Sequence, residues 1–388
     1  MIYGLVQNWD TFSLMVDNLT VMNEKAEQAE ALRYPHDVLD YLAAHPDKAS
    51  LVAFDVGASK DGIFYRADTA RALTEVPQLL LMAEYIRQMN AGRISPNRSV
   101  LLDSIDVYAL PGSGRKKHRR VRRQLIETGR VGPDSTVALR TVARSAFRED
   151  DPAAADWLMV HLGPSALRQA PARFDLHDSE PPLPNSGVQL LWTNHTQTTS
   201  AQTRIDSLSS LAPSALASRA HAQMERLRRD SSFRRAERQR LSQHGSDLSL
   251  REQRTLARHT APRGTAADYA DLLARIAQDS LVNATIADSM QHFLERSFAR
   301  DSVALSIRTV GSIGGATPGL ISLAGYAERA GDAPPRVVVL LLERLPMAVF
   351  YHLLQTGLDK GFHLQLLGDD AFFEQVRRRL PPTEKSSP

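Results

Sequence analysis

The stretch from Val303 to Glu343, VALSIRTVGSIGGATPGLISLAGYAERAGDAPPRVVVLLLE, decides the fold. It contains three apolar runs separated by segments rich in Pro and Gly, which is the pattern of three consecutive β-strands. Two more strands are predicted near the other end of the chain, at SLVAFDV (residues 50–56) and at residues 62–65. Strands at both ends indicate that the two terminal segments build one antiparallel sheet.

The chain between these strands has a helical pattern. Leu79–Met89, LLLMAEYIRQM, is apolar on nearly every side of its first turn and a half, so this helix is expected to be central. Further helical patterns cover residues 118–128, 136–147, 153–162, 213–229, 231–242, 249–258, 265–278 and 284–295, and a last helix covers 371–380. The predicted fold class is α+β, with an antiparallel sheet from both chain ends and a helical domain inserted between them.

The same pattern predicts the domain boundaries. Residues 34–75 and 296–380 are expected to form the sheet domain, and residues 76–295 an all-helical domain. Residues 1–33 are expected to be an N-terminal extension, and the polar residues 381–388 a disordered tail.

The composition of the 388 residues indicates a soluble globular protein, with 43% hydrophobic and 23% charged residues and a net charge of +3. No run of eighteen apolar residues predicts a membrane span. The first residues, MIYGLVQNWD, lack the basic and apolar regions of a secretory signal, which predicts a cytoplasmic location. The absence of cysteine excludes disulfides, thiolate catalysis and cysteine-based metal sites.

One strongly basic run stands out, RKKHRRVRR at Arg115–Arg123. Seven of its nine residues are cationic: Arg115, Lys116, Lys117, Arg119, Arg120, Arg122 and Arg123. Such a run is able to bind an anionic partner if its charges are presented together, and a solvated helix face is the alternative interpretation. The run contains no Phe, Tyr or Trp for base stacking.

Several segments together resemble class A β-lactamases and the related penicillin-binding-protein-like serine hydrolases, over roughly residues 34–380. These are DYLAAHPDKASLVAFDV (40–56), FYRADTARALTEVPQLLLMAEYIRQMNAGRI (64–94), YALPG (108–112), DDPAAADWLMVHLG (150–163), RGTAADYADLLARI (263–276) and VGSIGGATPGLISLAGYA (310–327). The resemblance implies the β-lactamase/transpeptidase-like fold. It also implies acyl transfer by a serine at the start of a buried helix, assisted by a lysine one turn later.

The catalytic positions of that family carry other residues in this chain. When the helix segment LLLMAEY is used as the anchor, the serine position of SxxK is Glu75 and the lysine position is Gln78. Gln78 cannot shuttle a proton. Glu75 is able to act as a base, so it is the candidate residue at this end of the cleft.

The other two family motifs are degenerate as well. The SDN position corresponds to Asp150, Asp151 and Pro152, where proline cannot hold a substrate through an amide. The KTG position corresponds to Ile313, Gly314 and Gly315, so the cation is lost and the two glycines remain. Glu75, Gln78, Gly314 and Gly315 are therefore predicted to line a former active-site cleft, without any confident catalytic residue.

Three other features have a plainer interpretation. Ser113 and Lys116 match SxxK, but they follow a Pro-Gly turn where the family has a loop, which indicates coincidence. The acids at 149–151 with His161 suggest a metal site, although helix capping explains them better. Asn194 and His195 are typical of a polar cap in a loop. No metal and no cofactor are predicted.

Three functions remain open. The first is a pseudoenzyme that keeps the fold and binds a small molecule or a protein in the former cleft. The second is a hydrolase, or an enzyme related to acyl transfer, that uses non-standard residues such as Glu75 as a general base. The third is an anion or nucleic-acid binder that works through residues 115–123. Enzymatic activity of any kind is uncertain from the sequence.

Overall fold

The computed structural model describes residues 17–112, 114–297 and 307–381. These residues form two compact units. The first unit comprises the residues up to 76, residues 248–277 and the residues from 295 onward, and contains the main sheet. The second unit comprises residues 77–247 and 278–294 and is mostly helical.

The described residues contain ten strands, of which five correspond to the predicted ones and five short ones were not predicted. The ten strands are β1 (Ala49–Asp55), β2 (Ile63–Tyr65), β3 (Arg71–Ala72), β4 (Ser99–Leu101), β5 (Thr136–Ala138), β6 (Arg263–Gly264), β7 (Glu295–Ser297), β8 (Ile307–Thr317), β9 (Leu320–Arg329) and β10 (Arg336–Leu342). Six of them form an antiparallel sheet in the order β2-β1-β10-β9-β8-β7. The predicted sheet from both chain ends is thus confirmed, while residues 303–306 of the predicted strand lie outside the described residues.

The predicted helices agree with the structure to within a few residues, whereas the helices at residues 185–192, 201–209, 347–356 and 358–368 were not predicted. The helices are α1 (Ala26–Glu30), α2 (Pro35–Ala44), α3 (Gln78–Asn90), α4 (Leu102–Asp106), α5 (Arg115–Glu127), α6 (Leu139–Arg148), α7 (Pro152–Leu162), α8 (Pro164–Arg168), α9 (Ala170–Arg173), α10 (Asn185–Trp192), α11 (Ala201–Ser209), α12 (Pro213–Arg229), α13 (Ser231–His244), α14 (Leu250–Thr260), α15 (Ala266–Ala277), α16 (Ala284–Leu294), α17 (Met347–Thr356), α18 (Leu358–Gly368) and α19 (Asp370–Arg379).

Strand β10 is buried along its whole length because helices pack on both faces of the sheet. Val338, Leu340 and Leu342 belong to the core that β10 forms with α17, α18 and α19. Alternation along the strand turns Val337, Val339 and Leu341 to the opposite face, where α15 packs across β1, β9 and β10. Burial on both sides explains why this strand reads as a continuous apolar run.

Two features of the organisation differ from the predicted domain boundaries. Residues 248–277 pack with the sheet unit rather than with the helical unit. The helical unit also contains a short antiparallel ladder of β4 and β5. Periodicity identifies a helix and its apolar face, but it does not identify the surface that this face covers.

The segment before residue 34 contributes to the core of the sheet unit. Residues 17–22 are helical, and Val21, Ala29 and Leu32 are buried in the same cluster as α17 and α18. The described residues 17–33 therefore belong to the sheet unit and its core, and they are not merely an extension. No helix among the described residues is long and apolar enough to span a membrane.

Candidate functional site

The candidate site in the sheet unit begins with the segment that leads from β3 towards Glu75. Arg71 and Ala72 pair with residues 264 and 263 of β6. The Arg71 guanidinium is buried and donates to the Glu343 carboxylate at 3.2 Å, and Ala72 N–H donates to the other oxygen of that carboxylate at 3.3 Å. Leu73 N–H donates to the carbonyl of Pro262 at 2.8 Å. These hydrogen bonds hold residues 71–73 in place and so set the direction of the main chain just before Glu75.

The buried ion pair of Arg71 and Glu343 is well satisfied. Arg71 also donates to the Ser50 hydroxyl at 3.0 Å and to the carbonyls of Ala49 and Pro46 at 2.7 and 3.2 Å. Burial lowers the pKa of Arg71 from its ordinary value, and the Glu343 carboxylate opposes this shift. Arg263 also lies 3.8 Å from Glu343, but removing Glu343 would leave the buried Arg71 charge without its carboxylate partner, so the pair is a strong positional constraint.

Glu75 lies directly against strand β8. Thr74 N–H donates to the hydroxyl of Ser322 at 3.2 Å, which holds residues 74 and 75 over the sheet face that α15 also covers. Ser322 pairs with Gly315 in the ladder of β8 and β9. A Cβ at Gly315 would overlap the Glu75 carboxylate, so any other residue at this position would displace the carboxylate from β8.

The three residues of the predicted KTG position divide between the two faces of the sheet. Gly315 contacts Glu75, as the prediction of a shared cleft requires. Gly314 faces the opposite side, where a Cβ would meet Leu323, a member of the core with α17 and α18. Ile313 is half-buried and shares the face of Gly315 by strand alternation.

Part of the outer edge of β8 has no strand partner among the described residues beside this contact. Strand β7 pairs only with residues 309–311 of β8. Residues 312–317 pair with β9 on one side and have no strand partner on the other side among the described residues. Ser312 is exposed and residues 313–317 are half-buried. Unpaired N–H and C=O groups on such an edge form a template for an additional strand.

The remaining motif positions belong to the helical unit and have structural roles there. Gln78 is the first residue of α3, and its Oε1 is buried without a hydrogen-bond partner among the described residues. Asp151 caps α7 by accepting from Ala153 N–H at 3.0 Å, so the predicted helix cap is confirmed. Pro152 is the first residue of α7, and Asp150 pairs with Lys117 at 3.1 Å.

The other sequence candidates have local partners. His161 stacks on Trp157 and its Nδ1 lies 2.8 Å from the Trp157 carbonyl. Burial lowers the pKa of His161 below its ordinary value. His195 lies 2.7 Å from Glu237, and Asn194 donates to the Leu190 carbonyl at 2.9 Å. No group of three or more His, Asp or Glu in the described part of the chain could hold a metal ion. Ser113 lies outside the described residues.

The basic run forms helix α5. Its seven cations divide into two that pair with carboxylates, Lys117 and Arg122, and five for which the described residues provide no carboxylate partner. The five are Arg115, Lys116, Arg119, Arg120 and Arg123.

Sequence reasoning missed Ser322 and the pair of Arg71 and Glu343. Ser322 is visible as the polar residue within the apolar run GLISLAG, and a polar residue in a buried strand requires a partner. Arg71 carries no comparable signal, because its partner is 272 positions away in the chain.

No protein-family model matches the chain, and no curated protein matches its sequence. Several solved structures are similar to it. A β-lactamase from Sphaerobacter thermophilus is 13% identical with a TM-score of 0.49, covering 83% of this chain and 96% of that chain. A class A β-lactamase from Mycobacterium abscessus is 13% identical with a TM-score of 0.46, covering 86% of this chain and 98% of that chain. PBP-A in an acyl-enzyme complex with penicillin G is 13% identical with a TM-score of 0.48, covering 89% and 93%.

Proposed function

We propose that the chain is a binding protein with a β-lactamase-like scaffold that does not perform serine acyl transfer. The proposed ligand is an extended, peptide-like segment that lies along the open edge of β8 with a cationic side chain near Glu75. The observation that carries the proposal is the contact between the Glu75 carboxylate and Gly315 beside this edge.

The residues at the family's motif positions support the loss of acyl transfer. A carboxylate at Glu75 replaces the hydroxyl nucleophile, and Gln78 has no proton to exchange at accessible pH. Thr74 has a hydroxyl, but its Oγ1 is buried and no described residue hydrogen-bonds to it, so it lacks the adjacent base that activates such a nucleophile.

The geometry of β8 supports a strand-like ligand. A strand added to residues 312–317 would lie about 4.8 Å from β8 and form main-chain hydrogen bonds with it. Its residue opposite Gly315 would point its side chain to the same face as Glu75. Since Gly315 has no side chain, the ligand residue meets the carboxylate without obstruction from β8.

The local charges support a cationic residue in the ligand. Ile313 stands at the position where the family has a cation for the substrate carboxylate, so this face provides no equivalent attraction for an anion. The Glu75 carboxylate instead favours lysine or arginine on the ligand.

The first test of the proposal is acylation. We expect no adduct in the intact mass after incubation with penicillin G, and no hydrolysis of a chromogenic cephalosporin. A penicilloyl adduct on any residue would contradict the proposal. Cephalosporin hydrolysis that Glu75→Gln reduces by about a hundredfold would instead establish the alternative enzyme with Glu75 as general base.

The second test is peptide binding. Two fluorescent peptides of alternating Thr and Val, with a central Lys or a central Glu, probe the edge of β8. We expect the Lys peptide to bind about fivefold more tightly, and Glu75→Gln to remove this preference, since one partly exposed ion pair contributes about 1 kcal/mol.

The control for peptide binding is Asp332→Asn, which makes the same change of charge at an exposed position of the sheet unit. This variant should keep the preference for the Lys peptide. Absence of binding by both peptides, or an equal loss in the control, would refute the proposed ligand.

A further inference from the structure

Helix α5 presents most of its positive charge on one side. His118, Val121 and Leu125 are buried and form the face that packs on the helical unit. At 3.6 residues per turn, Arg115, Lys116, Arg119 and Arg123 fall within an arc of roughly 100° on the other side. Lys116, Arg119 and Arg123 are exposed, and Arg115 is half-buried.

A hydrogen-bond network with a buried centre at His118 and Asp151 holds α5 in this orientation. His118 Nδ1 lies 2.8 Å from Asp151, and its Nε2 lies 2.7 Å from Asp106. Arg122 pairs with Asp103 at 3.1 Å and also with Asp106. His118 and Arg122 of α5 therefore bind the nearby acids, which are Asp103, Asp106 and Asp151. These acids do not neutralise the cations on the exposed side of the helix.

Helix α13 adds two more cations to the same surface. Arg115 donates to the Ser242 hydroxyl at 3.4 Å, which joins the start of α5 to the end of α13. Arg238 donates to the main-chain carbonyl of Asp106. The side chain of the same Asp106 binds His118. Arg234 lies one turn before Arg238 and donates to the Leu227 carbonyl at 2.7 Å.

The charges of the two helices lie close enough to repel one another. Burial lowers the pKa of Arg238, and Arg115, Arg234 and Arg119 lower it further. None of the six cations has a carboxylate partner within the described ranges. We call this surface the basic face, and it consists of Arg115, Lys116, Arg119, Arg123, Arg234 and Arg238.

We propose that the basic face binds the phosphate backbone of double-stranded nucleic acid. Six cations on two adjoining helices are able to contact several phosphates at once, and such contacts are independent of base sequence. Five of the six are arginines, whose planar guanidinium groups donate two parallel hydrogen bonds to a phosphate. This binding is separate from the proposed peptide site on the sheet unit.

The composition of the two helices favours a duplex over a single strand or a membrane. Single-strand binding relies on exposed aromatic side chains, and the only Phe, Tyr or Trp in either helix is Phe233, which is buried. A membrane-surface helix needs an exposed apolar face, whereas Val121 and Leu125 of α5 are buried and Ile126 alone is exposed.

The test is a fluorescence titration of a 30-base-pair DNA duplex, an RNA duplex and a matched single strand at several salt concentrations. We expect duplex binding whose logarithmic dependence on salt has a slope of about −5, since each phosphate contact contributes about −0.9. The variant Lys116→Gln, Arg119→Gln, Arg123→Gln should reduce the slope to about −3. Its thermal unfolding should be unchanged, because these side chains are exposed.

The matched control is Arg377→Gln, Arg378→Gln, Arg379→Gln at the end of α19, which removes the same charge from the sheet unit. It should keep duplex binding and the slope. The proposal is overturned if no salt-sensitive duplex binding occurs, if the control loses binding to the same extent, or if the single strand binds more tightly. Binding to phosphatidylserine vesicles without duplex binding would also overturn it.

Discussion

At the scale of single residues, His363 shows how the packing of the sheet creates a pH dependence. The imidazole is buried between α18 and the sheet, and Nε2 lies 3.1 Å from the carbonyl oxygen of Val338. A Cβ at Gly325 would approach the ring to 3.0 Å. Burial lowers the pKa of His363 to about 4, which the bond to the carbonyl only partly opposes.

The lowered pKa predicts a loss of stability in mild acid. The unfolded chain gains a proton at His363 below about pH 6.5, whereas the folded chain does so only near pH 4. The contribution of the neutral imidazole is therefore complete above pH 6.5 and declines as the pH falls from 6.5 to 4, by about 3 kcal/mol in total. His363→Gln keeps a donor for Val338 and should flatten this decline in urea unfolding.

The control is His177, whose side chain is exposed. His177→Gln should leave the dependence of unfolding free energy on pH as it is in the original chain. An unchanged acid decline in His363→Gln would show that other groups cause it.

At the scale of elements, one carboxylate joins three strands. Asp55 at the end of β1 accepts from Arg336 of β10 at 2.5 Å and from Arg329 of β9 at 2.9 Å. Both arginines also bind Asp370 of α19, at 2.7 and 2.6 Å. Arg336 lies over the Phe373 ring, 4.1 Å from its centroid. These ion pairs connect helix α19 to the ends of β1, β9 and β10.

Asp55→Asn should therefore destabilise the protein strongly. Arg329 and Arg336 are only 5% and 3% exposed, and they would be left with Asp370, whose side chain is 77% exposed, as their shared carboxylate partner. We expect a decrease of about 3 kcal/mol in the free energy of unfolding. Asp47→Asn breaks the exposed pair with Arg344 and should decrease it by less than about 1 kcal/mol. Equal effects of the two variants in denaturant titrations would refute this difference.

At the scale of the whole molecule, the sheet depends on pairing between strands that are far apart in the sequence. Strand β10 lies between β1 and β9, so residues 336–342 complete a sheet that begins at residue 49. Each fully buried Val or Leu of β10 contributes about 1.5–3 kcal/mol. Six such residues together contribute about as much as the net stability of a typical domain.

Truncation after Pro334 should consequently abolish cooperative unfolding of the sheet unit, whereas truncation after Leu380 keeps every strand and helix described here. Differential scanning calorimetry and near-ultraviolet circular dichroism would compare the two truncated chains. A cooperative transition of the shorter chain at the original temperature would contradict this account of the core.

The sequence alone determined the elements with strong local patterns and the chemistry of their residues. The apolar run at 337–342 specified a strand that is buried on both faces, and Leu79–Met89 specified a buried helix, because both signals depend on neighbours a few positions away. The identities of Glu75, Gln78, Pro152 and Ile313 likewise follow from the chain as written. Even the cap at Asp151 was predictable, since capping is a local interaction.

Only the tertiary structure decided which of these elements meet. The register of β8 on β9 turned Gly315 towards Glu75 and Gly314 away from it, and a shift by one residue would have exchanged them. Packing assigned α14 and α15 to the sheet unit and brought Arg238 close to Arg115 and Arg119. Such contacts join residues that are far apart in the chain. The local periodicity of a sequence does not indicate which distant surface an apolar face will cover.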